Sequence, residues 1–337
     1  MGPVRRAVID VGTNSIKLLV ADVAGHEVQP VVEESKQTRL GRGFYETHRL
    51  QPEAIATTAK AVAKFAEMAH ERQAVSIRVI ATSAARDAVN QKELTCAIEQ
   101  AAGLKVEIIS GEQEADWAFQ GVTTDPELAQ QPLLLLDVGG GSTEFILGQG
   151  GHKHFSQSVP LGTVRLMERI PHSDPPRAEE WAACRRWLKD FLEAEVGRKL
   201  RVQGPESKVQ SPKSGVHSPQ STVHSLKSQV GEQGLRLVGT GGTASILARM
   251  EGKMETYDRA RIEAVRLSME RVRWHAERLW GLPLESRKEI VGLPKNRADV
   301  ILTGVAIYEA VMEQFGFGEL RISTRGLRFA VVMEATG

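Results

Sequence analysis

The sequence has few cysteines, almost no net charge and no long apolar run. Cys96 and Cys184 are the only cysteines in 337 residues and show no CxxC or His/Cys spacing, which argues against a disulfide or structural zinc. The formal net charge of +1 argues against a dedicated nucleic-acid-binding protein. The N-terminal apolar stretch is interrupted by Asp10, Asn14 and Lys17, so it is neither a signal segment nor a spanning helix. We therefore expect a cytoplasmic protein that binds neither nucleic acid nor membrane.

The composition that remains is that of a globular protein with about two domains. Hydrophobic residues make up 41% and charged residues 25% of the chain, which is long enough for a large core and a cleft. We place an N-terminal domain at 1–126 and a C-terminal domain at 127–337. Within the latter, 203–233 is rich in Ser, Pro, Gln and Lys and has few large apolar residues. Such a composition buries too little surface to offset its ordering entropy, so we predict a disordered insertion there.

Two similar segments predict an internal duplication. The first reads AVIDVGTNSIKLLV and the second LLLLDVGGGSTEF, and each runs strand, Asp, Val, Gly turn, strand. This order predicts two hairpins, unlike Walker or Rossmann loops, which lead from a strand into a helix. Between and after them, apolar residues at helical spacing predict helices over 52–72, 178–200 and 258–280. The fold class is therefore α/β with a repeated unit.

The glycine turns suggest a phosphate site. Glycines let backbone N–H groups approach a phosphate, and an aspartate at the strand end can hold a hydrated cation against it. A single turn of this kind is better explained as a tight turn, whereas a pair facing across a cleft is not. A third loop, VGTGGTAS, places Gly239, Gly241 and Gly242 between a strand and a helix, where amides can receive an anion.

A general base is offered by the stretch IISGEQEADWAF. Glu112 and Glu114 lie two residues apart at the start of a predicted helix and so diverge, which lets only one face a cleft. A carboxylate there could deprotonate a water for in-line attack on a terminal phosphoryl group. From the residues alone, capping of the helix start is an equally good explanation.

Seven motifs in order resemble the exopolyphosphatase and guanosine pentaphosphate phosphatase family, Ppx/GppA. They read IDVGTNSIKLLV, ATSAARDA, ISGEQEA, LLDVGGGSTEF, VPLGTVRLME, VGTGGTASILA and RADVILTGVAI, and the resemblance spans about residues 7–332. It implies two ribonuclease-H-like domains of the actin-like ATPase superfold around a cleft. The chain is similar to the short form that lacks a helical HD-type domain. A homodimer is compatible with the resemblance, although no stripe in the sequence proves it.

The resemblance also implies roles for individual residues. Glu114 would be the general base, and Arg86 of SAARDA would contact phosphate oxygens. Asp10 and Asp137 would hold Mg²⁺, while Glu144 either reaches the metal or faces solvent. Phosphates would be held by Asn14, Ser15, Gly139, Gly140, Gly141 and Ser142.

Two positions depart from the family pattern near the C-terminus. In ISTRGLRFAVV, Thr324 and Phe329 stand where the family usually has acidic residues. A third departure lies in ISGEQEA, where Gln113 stands at a position that often holds a second Glu in the family. The phosphate loops are untouched by these changes, so we expect the chemistry to be kept.

The expected activity is Mg²⁺-dependent release of the terminal phosphate of inorganic polyphosphate. Basic residues near the first hairpin and in LGTVRLMER could attract such a polyanion. Guanosine pentaphosphate is the alternative substrate. A small-molecule kinase of the same superfold and a non-catalytic nucleotide sensor are the remaining alternatives.

Overall fold

Two β-sheets carry the two copies of the hairpin. The computed structural model describes residues 2–197, 199–200 and 234–334. The first sheet has the order β3-β2-β1-β4-β5 and contains Val4–Val11 (β1), Ser15–Ala24 (β2), Glu27–Gln37 (β3), Ser76–Ala81 (β4) and Val106–Ile108 (β5). The second has the order β10-β11-β9-β6-β7-β8 and contains Leu133–Val138 (β6), Thr143–Gln149 (β7), His152–Val159 (β8), Arg236–Thr240 (β9), Arg266–Ser268 (β10) and Glu319–Ile322 (β11).

The two sheets repeat the same local topology. Strand β1 is antiparallel to β2 and parallel to β4, and β6 is likewise antiparallel to β7 and parallel to β9. The duplication and both hairpins are therefore confirmed. The arrangement is the predicted α/β fold of two ribonuclease-H-like halves.

The run of four leucines is explained by burial on both faces of β6. Leu134 and Leu136 belong to the large core of the second half, whereas Leu133 and Leu135 pack on the opposite face beside Phe119. A central strand that is covered on both faces reads as a continuous apolar run. This packing fixes the position of Asp137 at the end of the strand.

Helices cover the sheets. In the first half they are Pro52–Glu71 (α1), Ser83–Arg86 (α2), Gln91–Ala102 (α3), Gly111–Val122 (α4) and Pro126–Gln130 (α5). In the second half they are Thr163–Arg169 (α6), Ala178–Leu192 (α7), Gly241–Glu251 (α8), Arg259–Ala264 (α9), Met269–Trp280 (α10), Leu284–Lys288 (α11), Ile301–Phe315 (α12) and Leu327–Met333 (α13). A π-helical turn, Glu193–Gly197, extends α7, and a 3₁₀ turn, Lys295–Arg297, precedes α12. Of the described residues, no helix is both long and apolar enough to span a bilayer.

The prediction of one helix over 258–280 was wrong. The structure divides this stretch into α9, the short strand β10 and α10. Ser268 ends the strand and caps α10, since its Oγ accepts a hydrogen bond from the N–H of Arg271. Strand β10 pairs with β11, so tertiary pairing overrides the helical periodicity at this point.

The last helix returns to the first sheet. Phe329 and Val331 of α13 pack with Val8 and Leu19 of the first hairpin and with Trp117 of α4. The chain therefore crosses between the two halves near its C-terminus. The predicted bounds at 126 and 127 stay a prediction, and the predicted insertion at 203–233 lies outside the described residues.

Candidate active site

The two glycine turns have the same backbone geometry. Gly12 N–H donates to Ser15 O at 3.1 Å, and Gly139 N–H donates to Ser142 O at 3.0 Å. Because the registers also match, the two strand-end aspartates occupy equivalent positions. Across the hairpins, Asp10 lies opposite Lys17, and Asp137 lies opposite Glu144.

The second turn packs directly against the first. A Cβ atom added at Gly140 would lie 2.9 Å from Thr13 Cβ, and one at Gly141 would lie 2.4 Å from Ser83 Oγ. Bare backbone is therefore required where the two halves meet. This contact gives these glycines a packing role beside the predicted phosphate role.

Asp10 and Asp137 form the acidic centre between the halves. Asp10 is 5% exposed, and its Oδ1 has no hydrogen-bond partner within the described part of the chain. Burial raises the pKa of both carboxyls, while the positive charges of Lys17 and Arg328 oppose that rise. The charge of Asp10 raises the pKa of Asp137 further, as expected for neighbouring like charges.

Glu114, and not Glu112, faces this centre. Ser110 caps α4, since its Oγ accepts a hydrogen bond from the N–H of Gln113. In the first turn of this helix, Glu114 is buried and Glu112 is exposed. Arg86 Nη1 donates to Glu114 Oε2 at 3.0 Å. Burial raises the pKa of Glu114 to about 7, and the Arg86 charge and hydrogen bond oppose this rise. A carboxylate with this pKa can accept a proton near neutral pH.

Glu144 also points inward. It is 1% exposed, and Ser158 Oγ donates to its Oε1 at 2.8 Å, so the solvent-facing alternative is excluded. Burial and the charges of Glu114 and Asp137 hold its pKa well above the ordinary value. Three acidic side chains from α4, β6 and β7 therefore influence one another.

A cavity of about 400 Å³ opens on the two aspartates. Of the predicted site residues it collects Asp10, Ser15, Asp137, Gly241 and Gly242.

Four cations that sequence reasoning did not assign line the same cavity: Lys17, Arg249, Arg297 and Arg328. Arg297 Nη1 donates to Ser15 Oγ at 2.6 Å and so joins the 3₁₀ turn to the first hairpin. Lys17 lies opposite Asp10 in the first hairpin, just as Glu144 lies opposite Asp137 in the second. This equivalence in the repeat is the signal that could have identified Lys17 as a site residue.

The remaining predicted residues lie around this centre or apart from it. Asn14 is buried beside the first turn, where its Oδ1 accepts from Gln37 Nε2 at 3.1 Å. Ser142 and Arg86 line a second cavity. Gly239 lies inside β9 against Tyr308, so the structure gives it a packing role and does not bring it to the cleft.

The centre has the chemistry of a cation site that offers few protein ligands. No group of three or more His, Cys, Asp or Glu side chains suited to a metal occurs in the described ranges. Two carboxylates, one with an unpartnered buried oxygen, nevertheless suit Mg²⁺, which keeps several waters and commonly binds through one or two carboxylates together with substrate phosphates. Asp10 and Asp137 are the residues that fit this role.

Comparison with known proteins places the chain in a family. The sequence profile of the Ppx/GppA phosphatase family matches residues 19–225 and 216–336. Exopolyphosphatase 2 of Mycobacterium tuberculosis is 33% identical over 351 residues, covering 100% of both chains.

Solved structures agree in fold over almost the whole chain. The Ppx/GppA family member of Aquifex aeolicus has a TM-score of 0.73 at 27% identity, covering 98% of this chain and 97% of that one. An exopolyphosphatase from Cytophaga hutchinsonii has a TM-score of 0.79 at 25% identity, covering 97% and 96%. Profile, relative and fold coincide, and the chain belongs to the Ppx/GppA phosphatase family.

Proposed function

We propose that the chain is a magnesium-dependent exopolyphosphatase that releases the terminal phosphate of inorganic polyphosphate. The observation that carries the proposal is the buried Glu114, held by Arg86 at 3.0 Å with a pKa of about 7, beside the two strand-end aspartates. A fixed carboxylate of that pKa is a competent acceptor for the proton of an attacking water. The full-length similarity to an exopolyphosphatase supports the same chemistry.

The roles of the side chains follow from their positions. Glu114 orients water and takes its proton as the water oxygen attacks the terminal phosphorus. Arg86 holds Glu114 in place and offers its remaining N–H groups to phosphate oxygens. Mg²⁺ bound by Asp10 and Asp137 would supply charge neutralisation at the phosphoryl oxygens. Direct contact of Glu144 with the metal stays a prediction.

The cations of the cavity support a polyanionic substrate. The walls carry Lys17, Arg249, Arg297 and Arg328, and their positive charges would attract successive phosphates of a chain. One feature favours guanosine pentaphosphate as the second candidate. Tyr257 lines the same cavity and is 47% exposed, which offers an aromatic surface to a base.

Phosphate release from polyphosphate, guanosine pentaphosphate and ATP with Mg²⁺ tests the proposal. We expect wild type to act fastest on polyphosphate, and Glu114→Gln to lose roughly 10²- to 10⁴-fold in kcat because the amide cannot accept a proton. Glu99→Gln, an exposed glutamate of α3, is the matched control and should keep wild-type kinetics. An active Glu114→Gln enzyme would remove the general base from the mechanism. No release from any substrate would favour a kinase or a sensor instead.

A further inference from the structure

A second cavity of about 620 Å³ lies beside the catalytic carboxylates. It shares no lining residue with the first cavity within the described part of the chain. Its walls carry two guanidiniums and several hydroxyls, from Arg86, Arg165, Ser83, Ser142, Ser156 and Ser158. The acidic side chains that line it are Asp87 and Glu112.

The two arginines are fixed by one aspartate between them. Arg165 Nη2 donates to Asp87 Oδ2 at 3.0 Å, and Arg86 Nε lies 3.7 Å from Asp87 Oδ1. Arg165 Nε also donates to Gly141 O at 2.7 Å, and its guanidinium lies 4.1 Å from the centre of the Tyr45 ring. Arg86 Nη2 and Arg165 Nη1 have no acceptor among the described residues, so both retain N–H donors for a ligand.

A buried hydroxyl in the same wall also lacks a partner. Ser83 is 2% exposed, and its Oγ has no hydrogen-bond partner in the described ranges. A buried hydroxyl without a partner is destabilising. An oxyanion in this cavity would satisfy it together with the free guanidinium N–H groups.

Glu114 and Glu144 interact with residues of both cavities. Glu114 is bonded to Arg86, and Glu144 is bonded to Ser158, and both of these partners line the second cavity. Both carboxylates also respond to the charge of Asp137, which lines the first. The two carboxyls are therefore linked to the second cavity by hydrogen bonds and to the first cavity by the charge of Asp137.

In-line displacement leaves one product on each side of the phosphorus atom that is attacked. The water oxygen forms its bond to phosphorus as the bridging P–O bond breaks, the water proton passes to Glu114, and the bridging electron pair leaves with the shortened chain. The entering and leaving oxygens are on opposite sides of the phosphorus. Orthophosphate is thus formed on the side of Glu114, and the shortened polyphosphate stays on the side of the aspartates.

We propose that the second cavity is an orthophosphate site through which the product leaves, held by Arg86, Arg165 and Ser83 while the shortened chain stays in the first cavity. This assignment rests on the proposed hydrolase function. The assignment also explains why Asp87 lies beside an anion site. Its negative charge disfavours anion binding, but its contacts position the two arginines that bind the anion. Repulsion by Asp87 limits affinity and so favours release.

Inhibition by inorganic phosphate, varied against polyphosphate concentration, tests the site. Because orthophosphate and the chain would occupy different cavities, we expect inhibition that polyphosphate does not overcome. Direct binding of inorganic phosphate to the full chain by calorimetry gives a second readout that needs no turnover.

Two substitutions should change phosphate binding in opposite directions. Arg165→Gln removes a cation and should weaken binding by about tenfold or more, whereas Asp87→Asn removes a negative charge and should tighten it several-fold. Arg186→Gln, an exposed arginine of α7, is the charge-matched control and should leave binding unchanged. Opposite shifts at neighbouring residues would not arise from general unfolding.

Three results would overturn the assignment: inhibition that is purely competitive with polyphosphate, no measurable phosphate binding, or equal binding in all variants. Competitive inhibition would place the anion in the first cavity or the end of the chain in the second. If the variants alter phosphate binding as expected but polyphosphate is not hydrolysed, the anion site stands and the proposed function fails.

Discussion

At Glu114, burial and a neighbouring cation act in opposite directions on one carboxyl. Burial is the largest influence and raises its pKa to about 7, while Arg86 lowers it through charge and a hydrogen bond. The sequence predicts that only one of Glu112 and Glu114 faces the cleft, because residues two apart on a helix diverge, and the family resemblance implies that it is Glu114. It could not give the pKa, since that depends on a side chain 28 residues away and on packing that only the fold supplies.

Removing the Arg86 charge should move the pH profile of the reaction. Arg86 lowers the pKa of Glu114, so Arg86→Gln should raise that pKa above about 7 and shift the acidic limb of kcat/KM to higher pH. Activity at neutral pH should fall, because a smaller fraction of Glu114 is deprotonated. Arg86→Lys keeps the charge and should hold the limb near its wild-type position even where kcat falls. A pH–rate profile of Arg86→Gln that coincides with wild type would show that Glu114 is not the titrating base.

At the level of elements, the repeat could be predicted from the sequence, whereas the contacts between elements could not. The hairpins follow from the alternation of apolar strands and glycine turns, and α1 begins at Pro52 as its sequence indicates. The break at Ser268 was missed, because periodicity cannot report that β11 is available as a pairing partner. The packing roles of Gly140 and Gly239 could not be predicted either, because the residues that they contact, Thr13 and Tyr308, are distant in sequence.

Among the glycines of the described ranges, Gly121 in α4 has the side-chain space that is most restricted by a distant segment. A Cβ there would lie 2.1 Å from the carbonyl oxygen of Gly326, which leads into α13. Gly121→Ala should therefore lower the free energy of unfolding by about 1–3 kcal/mol, because overpacking outweighs the helix propensity of alanine.

Chemical denaturation of Gly121→Ala beside Gly318→Ala provides the measurement. A Cβ at Gly318 meets no atom within 4 Å, so that variant should stay within about 0.5 kcal/mol of wild type. Equal stability of both variants would contradict the close approach of α4 to the C-terminal segment.

For the whole molecule, the two halves are joined by charges as well as by the glycine turns. Glu33 of β3 accepts hydrogen bonds from Arg259 of α9 and, at 3.5 Å, from Arg328 of α13. The side chains of Glu33 and Arg259 are 18% and 21% exposed. This contact could not be predicted from the sequence, because 226 residues separate the pair and each residue alone is typical of a solvated surface.

A double-mutant cycle on Glu33→Gln and Arg259→Gln measures how strongly this contact joins the halves. Since the pair is largely shielded from water, its coupling free energy should exceed the roughly 1 kcal/mol ceiling of exposed pairs, and both single variants should lower stability. Glu34→Gln, its exposed neighbour on β3, should show no coupling to Arg259→Gln. Glu33 and Arg328 both line the first cavity, so removing the negative charge in Glu33→Gln should also strengthen polyphosphate binding. Additive single effects would mean that Glu33 and Arg259 act independently, and the closure of the cleft would then depend on the packing of the two glycine turns.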